Sequence, residues 1–177
     1  MDNNFDSDKL ESEDLAKPVL NVHLIAYINP GNEGDGEIPP TNHWAVFLEL
    51  SKDRSVRVDM MPGYGLDGRR GKVDLSTKEY AFTKNSIQRL TFEPRGHPNV
   101  EVFIKSIGSL GLQRYNFTKD CEGCRFWCYQ FIKCLEGISI LEPGSAAQTH
   151  ETIGYYYCTP TGKEPREVGE GEFRLTE

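Results

Sequence analysis

The chain has 177 residues, enough for one domain with a sizeable core, and its 27 acidic against 20 basic side chains leave a formal net charge of −7. That balance excludes a generally basic surface for nucleic acid or an anionic membrane. The excess acid sits at the ends: residues 1–17 hold six acids and two bases, residues 159–177 five acids and three bases, and the stretch between them is nearly neutral.

Both ends therefore read as loosely attached segments, an acidic disordered tail over 1–17 and a polar tail over 159–177, flanking a single domain at 18–158. The opening MDNNFDSDKL lacks the basic and apolar regions of a signal peptide, and no apolar run reaches spanning length. The expected compartment is the cytosol or nucleus, without membrane insertion.

In chain order, PVLNVHLIAYIN (18–29) is apolar and β-branched and predicts a strand, followed by a loop dense in Gly, Pro and acid at 30–40. NHWAVFLEL (42–50) and RSVRVDM (54–60) predict a hairpin about the polar turn Ser51–Asp53. Residues 61–74 are glycine-rich, match no phosphate-binding pattern and predict a loop; there Arg69, Arg70 and Lys72 can either face solvent or receive an acidic group. SIQRLTFEP (86–94) predicts another strand. Val100, Phe103, Ile107 and Leu110 recur at three and four, which predicts a helix over 99–110. CRFWCYQFIKCLEG (124–137) is the clearest helix, with Gly137 as its expected C-terminal cap. The Tyr155–Tyr157 run suggests an edge strand or interface patch. Strands followed by helices give an α+β domain, an antiparallel sheet packed against a central helix.

Five cysteines, an odd number without a secretion signal, argue against a disulfide framework, and four of them fall between positions 121 and 134. Cys124 opens the long helix just after Gly123, where unpaired backbone N–H groups and the helix dipole favour a thiolate. Gly123 permits close approach of a substrate, and adjacent N–H groups can form an oxyanion hole. A partner base must come from elsewhere. His43 opens the strand NHWAVFLEL, and Asp59 lies near the end of the next strand. If residue 59 pairs close to residue 47, then 43, 47 and 59 share a sheet face, and Asp59 can orient the imidazole. Trp44 and Trp127 adjoin these residues and can wall the site, while Cys121 competes for the nucleophile place. Cys128 and Cys134 read as packing residues, His23 as structural, His97 as a turn residue. A Cys121-x-x-Cys124 redox pair, or zinc held with Cys128 and His97 or His150, stands as the minor alternative.

Asp120-Cys121-Glu122-Gly123-Cys124-Arg125-Phe126-Trp127 resembles the nucleophile segment of papain-like cysteine peptidases. With the histidine strand Asn42-His43-Trp44-Ala45-Val46-Phe47 placed upstream, the order is similar to the circularly permuted papain-like groups, the PPPDE-like and lecithin:retinol acyltransferase-like enzymes. It also resembles a set of small fungal proteins with an NHW strand and a GCRFW-like helix. The resemblance implies a permuted papain-like fold with Cys124 as nucleophile, His43 as base and Asp59 as orienting residue; from the residues themselves, Trp44, Gly123, Trp127 and Cys121 are expected about the substrate. It departs from the family in lacking a Gln at the oxyanion-donor position; Gln113 is the nearest upstream. The expected chemistry is hydrolysis or transfer of an amide, isopeptide or ester acyl group from a peptide, protein or small acyl substrate, with no cofactor, metal or nucleic acid. A non-enzymatic binding module on the same scaffold is the other class of reading, and it requires His43 and Cys124 to lie apart.

Overall fold

The computed structural model describes residues 4–29, 34, 39–158 and 162–175. The Gly/Pro/acid loop expected at 30–40 lies mostly outside these residues. The described chain is mixed α+β. Its strands are β1 (Phe5–Lys9), β2 (Asn21–Tyr27), β3 (His43–Ser51), β4 (Arg54–Tyr64), β5 (Arg70–Lys78), β6 (Ser86–Phe92), β7 (Tyr115–Asn116), β8 (Tyr155–Tyr157), β9 (Lys163–Pro165) and β10 (Glu172–Phe173). Its helices are α1 (Val100–Ser109), α2 (Cys124–Gly137) and α3 (Ser145–Ile153).

One mostly antiparallel sheet runs β10-β7-β5-β4-β3-β2-β6, with β1 added in parallel to β5; β8 and β9 form a separate ribbon. Side chains alternate across each strand. Trp44, Val46 and Leu48 of β3 join Val56, Val58 and Met60 of β4 in the main core, which Phe103 and Ile107 of α1 and Trp127, Phe131 and Leu135 of α2 complete. Ala45 and Phe47 face the other way and pack with Ile25, Tyr27 and Phe82. The α1 stripe arises from the predicted spacing, and Asn99 caps it by accepting the Val102 N–H.

Four expectations are corrected. The segment 61–74 is not a loop: β4 and β5 extend through it, because Met60 and Val73 pair inward, leaving a tight reversal at 65–69. Gly137 is the last helical residue rather than the cap, and Ser139 takes the positive φ beyond it. Residues 4–17 are not a disordered tail. β1 extends the sheet, and Asp14, with a fully buried side chain, binds Arg54 Nε at 2.7 Å and Nη2 at 3.0 Å. Residues 162–175 are likewise not a loose tail, since β10 closes the sheet edge against β7 and Phe173 packs on Tyr115. In the last two cases a charge-rich segment reads as solvated, but its anchoring partners lie far away in the chain.

Candidate functional site

The β3–β4 register sets Val46 opposite Val58, so Asp59 lies opposite Ala45 rather than Phe47. The two-residue difference from expectation preserves the face, because the pleat repeats every second residue. It brings Asp59 closer to the start of β3, diagonal to His43. His43 Nε2 donates to Asp59 Oδ1 at 2.8 Å; the side chains are 16% and 1% exposed, so little water competes for this bond. Tyr27, opposite His43 on β2, packs edge-on against the imidazole at 5.1 Å.

The N-terminus of α2 meets this strand end. The Cys124 thiol reaches the carbonyl of Asn42, the residue just before His43, at 3.9 Å. Because Nε2 is committed to Asp59, Nδ1 is the ring atom left for the sulfur. Burial is the largest single influence on His43 and works against its charge. The Asp59 charge and hydrogen bond, and then the Cys124 contributions, outweigh burial and push the imidazole up to about 10. His43 is therefore an imidazolium at neutral pH. Cys124 is the first residue of its helix, so its N–H has no partner within the helix.

Gly123 makes this entry possible. Its φ of +148° suits glycine, and a Cβ there would stand 2.7 Å from Tyr115 Oη and 3.2 Å from Phe117. Gly123→Ala is expected to destabilise the protein by about 2 kcal/mol in denaturant titration and to slow alkylation of Cys124. A neutral effect on both would show that the turn has slack.

The other candidates separate clearly. Cys121 is exposed and in a left-handed conformation, whereas the Cys124 thiol is part-buried against the Asn42 carbonyl. Trp44 and Trp127 cannot touch a substrate, since both have zero exposure in the core, with the Trp127 indole N–H donating to Leu112 O. Cys128 is buried one turn below Cys124, and burial raises its thiol well above the ordinary value. Arg69 donates to Phe117 O, Arg70 to Asn4, and Lys72 lies over the Tyr64 ring, so these cations serve local structure. His23 bonds Glu49 and Thr91, and His150 packs against Tyr129. Among the described residues, no three His, Cys, Asp or Glu side chains converge as a metal ligand set. No helix there is long and apolar enough to cross a membrane.

Sequence reasoning missed the residues that hold the site. Arg57, two positions before Asp59 on the same face, places Nε 3.7 Å from Asp59 Oδ2 and donates from Nη2 to Asp74 at 2.6 Å. The period-two spacing could have flagged it. The Asn42 side chain clasps the Tyr157 backbone through both its amide atoms, fixing the strand just before His43. Beside the turn that precedes α2 runs an open groove of about 700 Å³, lined by Thr118 and Glu122 of that turn and by Glu167–Glu170 rather than by Cys124 itself.

A family model for a domain of unknown function, DUF7770, matches residues 22–174, so the chain belongs to that family. The match spans both strands of the candidate site, the α2 helix and β10. No curated protein and no solved structure matches the chain.

Proposed function

We propose that the protein is a cysteine-dependent acyl-transfer enzyme with Cys124 as nucleophile, His43 as acid and base, and Asp59 as the orienting carboxylate. The observation that carries the reading is an imidazole bonded to a buried carboxylate at 2.8 Å, at the strand end where the first residue of a helix, Cys124, brings its thiol to the carbonyl of the neighbouring Asn42. Three residues from separate elements converge in the order that thiol catalysis requires. The fold class is compatible with a permuted papain-like arrangement, which belongs to this proposal.

In the reactive form, the thiol proton resides on His43 and the sulfur is a thiolate, favoured by the imidazolium and the helix dipole. The sulfur attacks the carbonyl carbon of an amide, isopeptide or ester, and the carbonyl electron pair moves onto oxygen. The Cys124 N–H donates to that oxyanion. Collapse reforms the carbonyl and breaks the bond to the leaving group, which takes the proton from His43. Neutral His43 then removes a proton from water, whose oxygen attacks the thioester. Expulsion of the sulfur releases the acid, and His43 is again protonated beside the thiolate. An amine in place of water gives transfer instead of hydrolysis.

The test is labelling by iodoacetamide at neutral pH, followed by peptide mass spectrometry. Cys124 is expected to react faster than the exposed Cys121. Cys124→Ala is expected to remove the fast phase and Cys121→Ala to leave it. An exchange of the two results would put the nucleophile at Cys121; equal slow labelling at both would remove the enzymatic reading.

A further inference from the structure

The C-terminal segment is tied to the nucleophile turn at several points. Arg125, 4% exposed in the first turn of α2, donates to Glu167 O at 2.7 Å. Gly169 lies so close to the turn that a Cβ there would sit 2.7 Å from Glu122 Cβ. A Cβ on Gly171 would overlap the Asn116 carbonyl and the Tyr115 ring. The chain then pairs with β7 through β10, and the Arg174 N–H donates to Arg114 O at 2.9 Å.

At the centre stands the Tyr115 hydroxyl, in a side chain with no exposure. It accepts the Gly171 N–H at 2.9 Å and donates to the Gly123 carbonyl at 3.0 Å. That carbonyl shares a peptide plane with the Cys124 N–H. In a trans peptide the C=O and N–H point in opposite directions, so whatever holds one aims the other. Gly123 has no Cβ to resist rotation of this plane. Its carbonyl also accepts the Trp127 N–H, the ordinary first bond of the helix; the phenol supplies a second restraint from the side of the C-terminal segment.

We propose that Tyr115 is a positioning residue: clamped by the C-terminal segment at Gly171, its hydroxyl holds the Gly123 carbonyl and thereby aims the Cys124 N–H at the oxyanion. The inference rests on the reading of Cys124 as nucleophile. Burial raises the phenol's pKa, an effect partly offset by the Gly171 N–H, so the hydroxyl remains a donor across the working range.

Two reactions at one sulfur separate this role from general support. Alkylation by iodoacetamide is a displacement that forms no oxyanion; acylation by p-nitrophenyl acetate passes through one. In Tyr115→Phe, which keeps the ring, the alkylation rate of Cys124 is expected to stay within about twofold of wild type. The Cys124-dependent acylation rate, with Cys124→Ala as background, is expected to fall about 10- to 100-fold, part of the loss seen when an oxyanion donor is removed outright. Equal falls in both rates would make Tyr115 a packing residue, and no fall in either would leave it without a role; both overturn the inference. A wild-type Cys124 that is alkylated but never acylated overturns the inference and the acyl-transfer reading together, and a Cys124 inert to both reagents removes the nucleophile itself. If the variant does not fold, the wild type still decides. The Tyr115 hydroxyl proton should be visible by NMR and slow to exchange, and rapid exchange with water would overturn the proposed bond.

Discussion

Asp59→Asn should move the titration of His43 down by several units, from about 10 to the region of 6.5 or below. The carboxylate supplies the charge and hydrogen bond that outweigh burial; a neutral amide of nearly the same shape leaves burial to act against the cation. The ring resonances of His43 in a pH-dependent NMR experiment report this directly. The reaction should suffer too, since an imidazole neutral at pH 7 cannot pair with the thiolate or protonate a leaving group. A loss of about 100-fold or more in Cys124 acylation at neutral pH is expected. Stability carries the same signature. A histidine whose folded pKa is raised stabilises the fold fully below the unfolded value of 6.5, and this contribution is lost as pH rises through about 10. Wild-type protein should thus lose stability between these limits, and Asp59→Asn should lose much less. A His43 titration unmoved by the substitution would remove Asp59 from the site.

Arg54→Met should lower stability well beyond what an ordinary surface substitution does, because it strips a buried carboxylate of its main partner. Its guanidinium meets both oxygens of Asp14, whose side chain has no exposure, and also reaches Glu11 and Glu13. Removing it leaves a buried carboxylate with only the Lys17 ammonium at 2.9 Å and the Thr77 hydroxyl at 2.7 Å. Burial is the largest influence on Asp14 and raises its pKa, but the hydrogen bonds from Arg54, Lys17 and Thr77 together hold it below the ordinary 3.8. For a depressed carboxylate the stabilisation is present above the unfolded value and is lost as pH falls through the folded one. The variant should therefore unfold at higher pH than wild type during acid titration. Asp14→Asn combined with Arg54→Met should recover part of the loss, since the two residues act as a unit. A change under about 0.5 kcal/mol, ordinary for a surface substitution, would return residues 5–17 to the status of a tail.

Both results concern parts of the chain that differ in how openly the sequence declares them. His43 and Asp59 could be assigned to one face because alternation along a strand is local and survives a register error of two. The start of α2 at Cys124 was equally legible, from the apolar stripe and the preceding glycine. The N-terminal segment was not, because Asp14 and Arg54 look like ordinary surface charges until a parallel strand brings them together. Nor was the clamp on the turn before Cys124, since nothing local ties Tyr115, Gly169 and Gly171 to it. Trp44 and Trp127 were misplaced for a related reason: Trp44, next to His43, faces the opposite side of its strand, and Trp127, three residues past Cys124, lies nearly a turn further along the helix, inside the core.

By itself, the sequence determined β2, β3, the first part of β4, β6, α1 and α2, the faces of β3 and β4, and the placement of a cysteine at a helix N-terminus. Each of these follows from the period of the backbone over a few residues. Only the tertiary structure decided that Cys124 meets the start of β3 beside His43 while Cys121 stays exposed, that residues 4–17 and 162–175 are anchored, and that a phenol from β7 holds the peptide before Cys124. Those outcomes depend on distances between segments remote in the chain, set by packing and by buried polar groups that must find partners, and no local pattern encodes them.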